Sequence, residues 1–191
     1  MYSEEEIRRV ETAIDRSNTV GKRDYAIVLL ATRLGLRLED IRTMSFDELD
    51  FKKETVHLIQ EKTLAGLVLP MVPELKTALH DYIHNGRPDI AGSVFRISYP
   101  PYDPMTKSGV VACFRRALRK AGIERGTRGF GPRAFRSSLA SSMVNALIAN
   151  VLEYGKHGQP PKPFLKPAKA ASRSACIEAM KNKFNDEINK I

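Results

Sequence analysis

The chain has no tryptophan, two cysteines and four histidines, and no apolar run approaching the ~18 residues that a membrane-spanning helix needs. Cys113 and Cys176 fall in helical-looking segments without metal-ligand spacing, so neither a disulfide framework nor a zinc site is expected, and both read as buried thiols. The opening Ser3-Glu4-Glu5-Glu6 is acidic where a secretory leader is basic, which argues for a cytoplasmic protein with no membrane partner. With 191 residues, 42% of them hydrophobic and 28% charged, the chain has the size and composition of one folded domain with its own core.

Acid is scarce in the second half. Residues 1–104 carry 14 basic and 17 acidic side chains, whereas residues 105–191 carry 17 and 5, so the overall charge of +9 is concentrated late in the chain. A polycationic segment favours a polyanionic partner through counterion release, and nucleic acid is the commonest such partner. An acidic membrane surface is the rival, but no helix combines a basic face with large exposed aromatics.

Ser3 and Glu6 have the form of a capping box, and Ile7, Val10 and Ile14 recur at helical spacing, predicting a helix over 4–17 closed by Asn18 and Gly21. The run from Tyr25 to Ala31 is apolar nearly all round and predicts a buried helix over 24–34, ended by Gly35. A short helix over 38–44 follows a tight turn that presents Arg37 at a helix junction. Residues 54–71 suit a β-hairpin with Lys62 and Gly66 in its turn, and Val94-Phe95 would add a third strand. Further helices are expected at 75–83, 108–122, 134–153 and 168–190. A Gly, Pro and Lys segment over 155–167 precedes the last of them, so that 155–170 reads as linker-like. The expected fold is α+β and mostly α-helical, with a small antiparallel β-sheet on one edge.

Two strings carry the chemistry. Gly35-Leu36-Arg37 is followed by Asp40 three residues on, and Arg136 lies in Gly131-Pro132-Arg133-Ala134-Phe135-Arg136-Ser137. Two guanidinium forks can hold the non-bridging oxygens of a phosphodiester by charge-assisted bidentate hydrogen bonds. These strings, with Lys62 between them and the opening Tyr2 to Ile7, resemble in order and spacing the arginine boxes and hairpin lysine of the tyrosine recombinase, or phage integrase, family. The resemblance implies a catalytic domain that binds double-stranded DNA and cuts and rejoins it through a phosphotyrosine link, without metal or other cofactor. Arg37 and Arg136 would hold the phosphate, Asp40 would orient Arg37, and Lys62 would protonate the leaving 5′-oxygen. It also implies that a separate N-terminal DNA-clamping domain is missing here, and that the helix over 168–191 docks on a neighbouring copy to form a homo-oligomer on DNA.

The last third departs from the pattern. Arg133 stands where the second box opens with histidine, and Ser137 follows Arg136 in place of another. Tyr154-Gly155-Lys156-His157 is the nearest match to the third box, making His157 its histidine. Phe164-Leu165-Lys166 occupies the place of the nucleophile string, and no tyrosine follows Tyr154. Either Tyr154 attacks from an unusual position, or the chain is a catalytically inactive relative that binds DNA or a partner recombinase.

Plainer readings stand beside these. Arg37 suits a surface ion pair or helix cap; Lys62, a solvated turn; Arg133 and Arg136, three apart on one face, a basic stripe; His157, a loop; and Tyr154, the edge of a core. Arg115, Arg116, Arg119 and Lys120 crowd one helix face, either as a solvated stripe or as contacts to a DNA backbone. A generic basic nucleic-acid protein is the third reading of the whole.

Overall fold

A computed structural model describes residues 1–59, 66–124 and 126–154 of the chain. Lys62, His157, Phe164, Cys176, the linker-like segment and the expected last helix lie outside the described residues. The chain divides into two compact units, Met1–Ser141 and Ser142–Ile191. In the described part the helices are α1 (Glu4–Thr12), α2 (Thr19–Arg33), α3 (Leu38–Thr43), α4 (Pro73–Asn85), α5 (Lys107–Lys120) and α6 (Pro132–Tyr154). The strands are β1 (Leu49–Asp50), β2 (Thr55–Ile59) and β3 (Gly66–Pro70), forming one antiparallel sheet in the order β1-β2-β3. Among the described residues no helix is long and apolar enough to cross a membrane.

The central helix of the first unit is α2, whose residues from Tyr25 to Ala31 are all buried against α1, α4 and α5, as an all-round apolar run requires. Its start lies earlier than the apolar run suggests. Asn18 does not close α1; it caps α2, its Oδ1 accepting from Gly21 N–H at 2.8 Å, and α1 stops at Thr12. Gly21 is glycine because a Cβ there would lie 1.6 Å from the carbonyl oxygen of Asp15.

The third strand is Leu49–Asp50 and not Val94-Phe95. Two residues are too few to show alternation, so β1 leaves no periodic signal, whereas Val94 and Phe95 are buried in irregular chain. Val94 N–H donates to Met44 C=O at 2.8 Å, and the Phe95 ring stacks on Tyr82 at 5.5 Å. An apolar pair finds the core here without a ladder.

A charged cluster sits inside this core. Asp24 on α2 accepts from Arg23 Nε and Nη2 at 3.1 and 2.9 Å, from Arg116 Nε and Nη2 at 3.0 and 2.5 Å, and from the Cys113 thiol at 3.1 Å. Arg23 also donates to the carbonyl of Arg96 and to Ser98 Oγ, tying α2 and α5 to the 86–105 segment. Burial, helped by the Asp24 carboxylate, pushes the Cys113 thiol far above its ordinary range, consistent with an inert buried cysteine. Removing Asp24 would leave Arg23 buried and unpaired. Asp24→Ala is therefore expected to destabilise the fold by about 3–5 kcal/mol. Chemical denaturation measures this, and a loss below about 1 kcal/mol, as for a surface pair, would contradict it.

Candidate active site: an arginine-lined cavity

The first arginine is delivered by a helix end. Gly35 follows the last residues of α2 with φ +62°, and Leu36 N–H donates back to Leu30 C=O at 3.2 Å, so the chain turns sharply before α3. Arg37 is the N-cap residue of α3 in extended backbone, and its N–H donates to Asp40 Oδ2 at 3.2 Å. The acid three residues on thus fixes the backbone from which the Arg37 side chain springs.

The other arginines come from the start of α6. Pro132 opens the helix, where a missing N–H costs nothing, and Phe135 is fully buried between two rings, stacked on Tyr2 at 4.8 Å and tilted against Phe114 at 5.3 Å. One turn on, Ser138 Oγ accepts from Tyr2 N–H at 2.9 Å. With that face turned inward, Arg133, Arg136, Ser137 and Ala140 face a cavity of about 690 Å³. Arg37 lines the same cavity, over an apolar floor that includes Leu38, Val111 and Phe130.

Two segments almost a hundred residues apart therefore bring three guanidinium groups to one concavity. Among the described residues none of the three guanidinium groups makes a hydrogen bond or ion pair, and none of those residues that line the cavity carries a carboxylate. Five arginines elsewhere differ: Arg23, Arg33, Arg42, Arg116 and Arg128 each hold a carboxylate. Three unneutralised cations over a low-dielectric floor make a site for an anion with several oxygens.

The basic stripe of α5 divides. Arg116, grouped by sequence with the free phosphate ligands, is committed to Asp24 instead, because its position on the helix faces the buried carboxylate. Arg115 lies over the ring of Phe130, 4.9 Å from its centroid, beside the cavity floor. Arg119 and Lys120 are exposed and line no part of the cavity. Tyr154 is the last residue of α6, in the second unit. Sequence reasoning missed the floor and the positioning pair Tyr2 and Ser138. The floor residues come from three different elements, so no local pattern marks them.

A model of the phage integrase family matches residues 2–158, a span that includes both arginine segments and ends before Phe164. The chain belongs to the phage integrase family. Among its relatives is y4gC of Sinorhizobium fredii, described as an integrase/recombinase, 33% identical over 75% of this chain and 74% of that protein. This tyrosine recombinase chain shares its fold with the XerA recombinase (TM-score 0.62, 20% identity, 76% of this chain and 49% of that one). The XerH recombinase bound to its difH substrate is similar too (TM-score 0.60, 15% identity, 76% and 42%). The chain thus spans half or less of those two solved recombinases.

Gly35 and Gly122 give a matched test of how the boxes are joined. Both follow helices at nearly equal φ, +62° and +63°, but a Cβ on Gly35 would meet Leu139 Cδ2 at 3.3 Å and Arg136 Cγ at 3.6 Å, whereas nothing lies within 4 Å at Gly122. Alanine at either position is expected to cost about 1–2 kcal/mol in backbone strain. Only Gly35→Ala should also weaken binding of pyrophosphate, measured by calorimetry. Equal affinities in the two variants would show that contact across Gly35 does not position Arg136.

Proposed function

We propose that this chain is the catalytic part of a site-specific recombinase that holds one phosphodiester of double-stranded DNA in the arginine cavity and cuts and rejoins the strand there. The observation that carries the reading is the convergence of Arg37, Arg133 and Arg136 on one cavity where, among the described residues, none of the three guanidinium groups is paired and no carboxylate is part of the lining. As an oxygen nucleophile attacks phosphorus, charge builds on the non-bridging oxygens, and preset guanidinium donors stabilise that charge more than they stabilise the resting ester. Arg133 stays cationic where a histidine would titrate, so it serves as a third phosphate ligand rather than a proton shuttle.

Lys62 and His157 take their proposed roles from family resemblance, whereas Tyr154 stands outside the family's nucleophile position, which Phe164 occupies. Tyr154 is the proposed nucleophile: its hydroxyl gives up its proton to solvent and its oxygen forms a bond to phosphorus as the bond to the 5′-oxygen breaks, while the departing oxygen takes a proton from Lys62. His157 hydrogen-bonds the phosphate. Attack by a 5′-hydroxyl on the phosphotyrosine reverses the step and rejoins a strand. Arg115, Arg119 and Lys120 contact neighbouring backbone phosphates, residues 168–191 dock on a second copy, and the reaction takes place in the cytoplasm.

A nicked suicide DNA substrate tests the reading by trapping the covalent intermediate. The intact chain is expected to give a 3′-phosphotyrosyl adduct, Tyr154→Phe to give none, and Arg37→Ala or Arg136→Ala each to slow its formation by about 10²–10³-fold. Adduct formation at an unchanged rate in Arg37→Ala would contradict the site. Absence of any adduct, with salt-dependent DNA binding that still requires Arg37 and Arg136, would identify a relative that grips DNA without cutting it.

A further inference from the structure

Two of the four histidines, His80 and His84, lie four residues apart on α4, both exposed, with ring centroids 4.2 Å apart and planes inclined by 43°. Positions i and i+4 lie one above the other on a helix, and this is the spacing at which two imidazoles reach a single metal ion. Neither ring has a hydrogen bond or ion pair among the described residues. His57, by comparison, is 2.8 Å from Thr55 Oγ1.

We propose that His80 and His84 form a two-point binding site for a borderline divalent transition-metal ion of the nickel, copper or zinc class. Imidazole is a preferred ligand of that class and a poor one for magnesium or calcium. The surroundings suit a cation. His84 belongs to the last turn of α4, where the helix dipole favours positive charge. The basic residue one turn before His80, Lys76, is neutralised by Glu54 at 2.7 Å. Among the described residues no group of three or more histidine, cysteine or acidic side chains is arranged to hold a metal, so water completes the coordination sphere.

The string His80-Asp81-Tyr82-Ile83-His84 has the outline of the His-Glu-x-x-His hydrolase motif, but its chemistry differs. Asp81 Oδ1 accepts from Lys22 Nζ and Asn85 Nδ2, both at 2.8 Å, and Tyr82 is buried. A carboxylate held by an ammonium and an amide is a poor general base, so the pair binds metal without hydrolysing a substrate. No residue of α4 lines the arginine cavity, so the metal site is independent of the proposed recombinase chemistry. Its effect is to clamp the last turn of α4 and, through mass action, to stabilise the folded chain.

Calorimetric titration of the full chain with Ni²⁺ near neutral pH tests this, with melting curves to verify that each variant folds. The expected result is one micromolar equivalent, weakened at least about tenfold by His80→Ala or by His84→Ala and unchanged by His57→Gln. Saturating Ni²⁺ should also raise the melting temperature of the parent chain by a few degrees and leave that of a variant carrying both His80→Ala and His84→Ala unmoved. Binding no tighter than millimolar in the parent, or affinity within twofold of the parent in both single variants, would overturn the proposal.

Discussion

The burial of Phe135 between Tyr2 and Phe114 fixes how α6 is rotated about its axis, and the site depends on that rotation. Successive residues of a helix point about 100° apart, so one face of the first turns of α6 cannot be buried without dictating what the opposite face presents. Phe135 and Ser138 are held inward by Tyr2, and Arg133, Arg136 and Ser137 are therefore aimed at the cavity. On the other wall, Gly35 lets α2 end sharply and come within van der Waals reach of Leu139 and Arg136. The two arginine segments approach each other here through carbon atoms, Leu139 Cδ2 and Arg136 Cγ, a contact that asks nothing of the guanidinium groups.

That division of labour has an energetic consequence. Among the described residues five arginines of the first unit are neutralised by carboxylates: Arg23 and Arg116 share Asp24, Arg33 holds Glu11 and Glu74, Arg42 holds Glu39, and Arg128 holds Glu6. Those pairs fasten elements together. The cavity arginines fasten nothing, and three like charges sharing one apolar concavity repel each other in a medium that screens them less than bulk water does. Folding tolerates this because side chains of partial exposure keep much of their hydration, and an anion with several oxygens would relieve it. Such an arrangement favours a ligand over internal stability, as expected of a binding site.

The parts of the architecture written in local patterns were legible before the structure. The buried helix over Tyr25 to Ala31, the hairpin and the helix with Val110, Phe114 and Leu118 on one face each follow from periodicity within a single segment. What periodicity misjudged was punctuation. Asn18 has the same chemistry whether it follows a helix or starts one, and only the close approach of Gly21 to Asp15 shows which. The two-residue strand β1 is too short to carry a pattern. At the site, Arg37 and Arg136 could be named from the order of their motifs, but the fate of Arg116 could not: one turn of helix separates a solvent-facing cation from one locked to a buried carboxylate, and the partner Asp24 is 92 residues away. The cavity floor, drawn from α3, α5 and the segment before α6, is likewise a product of packing.

The central claim is that Arg37 and Arg136 hold one phosphate together. A double-mutant cycle on DNA affinity, using Arg37→Ala, Arg136→Ala and the combined variant at a single salt concentration, tests it most directly. If both guanidinium groups bind the same phosphate, the losses are non-additive, with a coupling energy of about 1–3 kcal/mol. Additivity to within about 0.5 kcal/mol would mean that the two arginines act on separate phosphates, and the account of the cavity as a single anion site would be wrong.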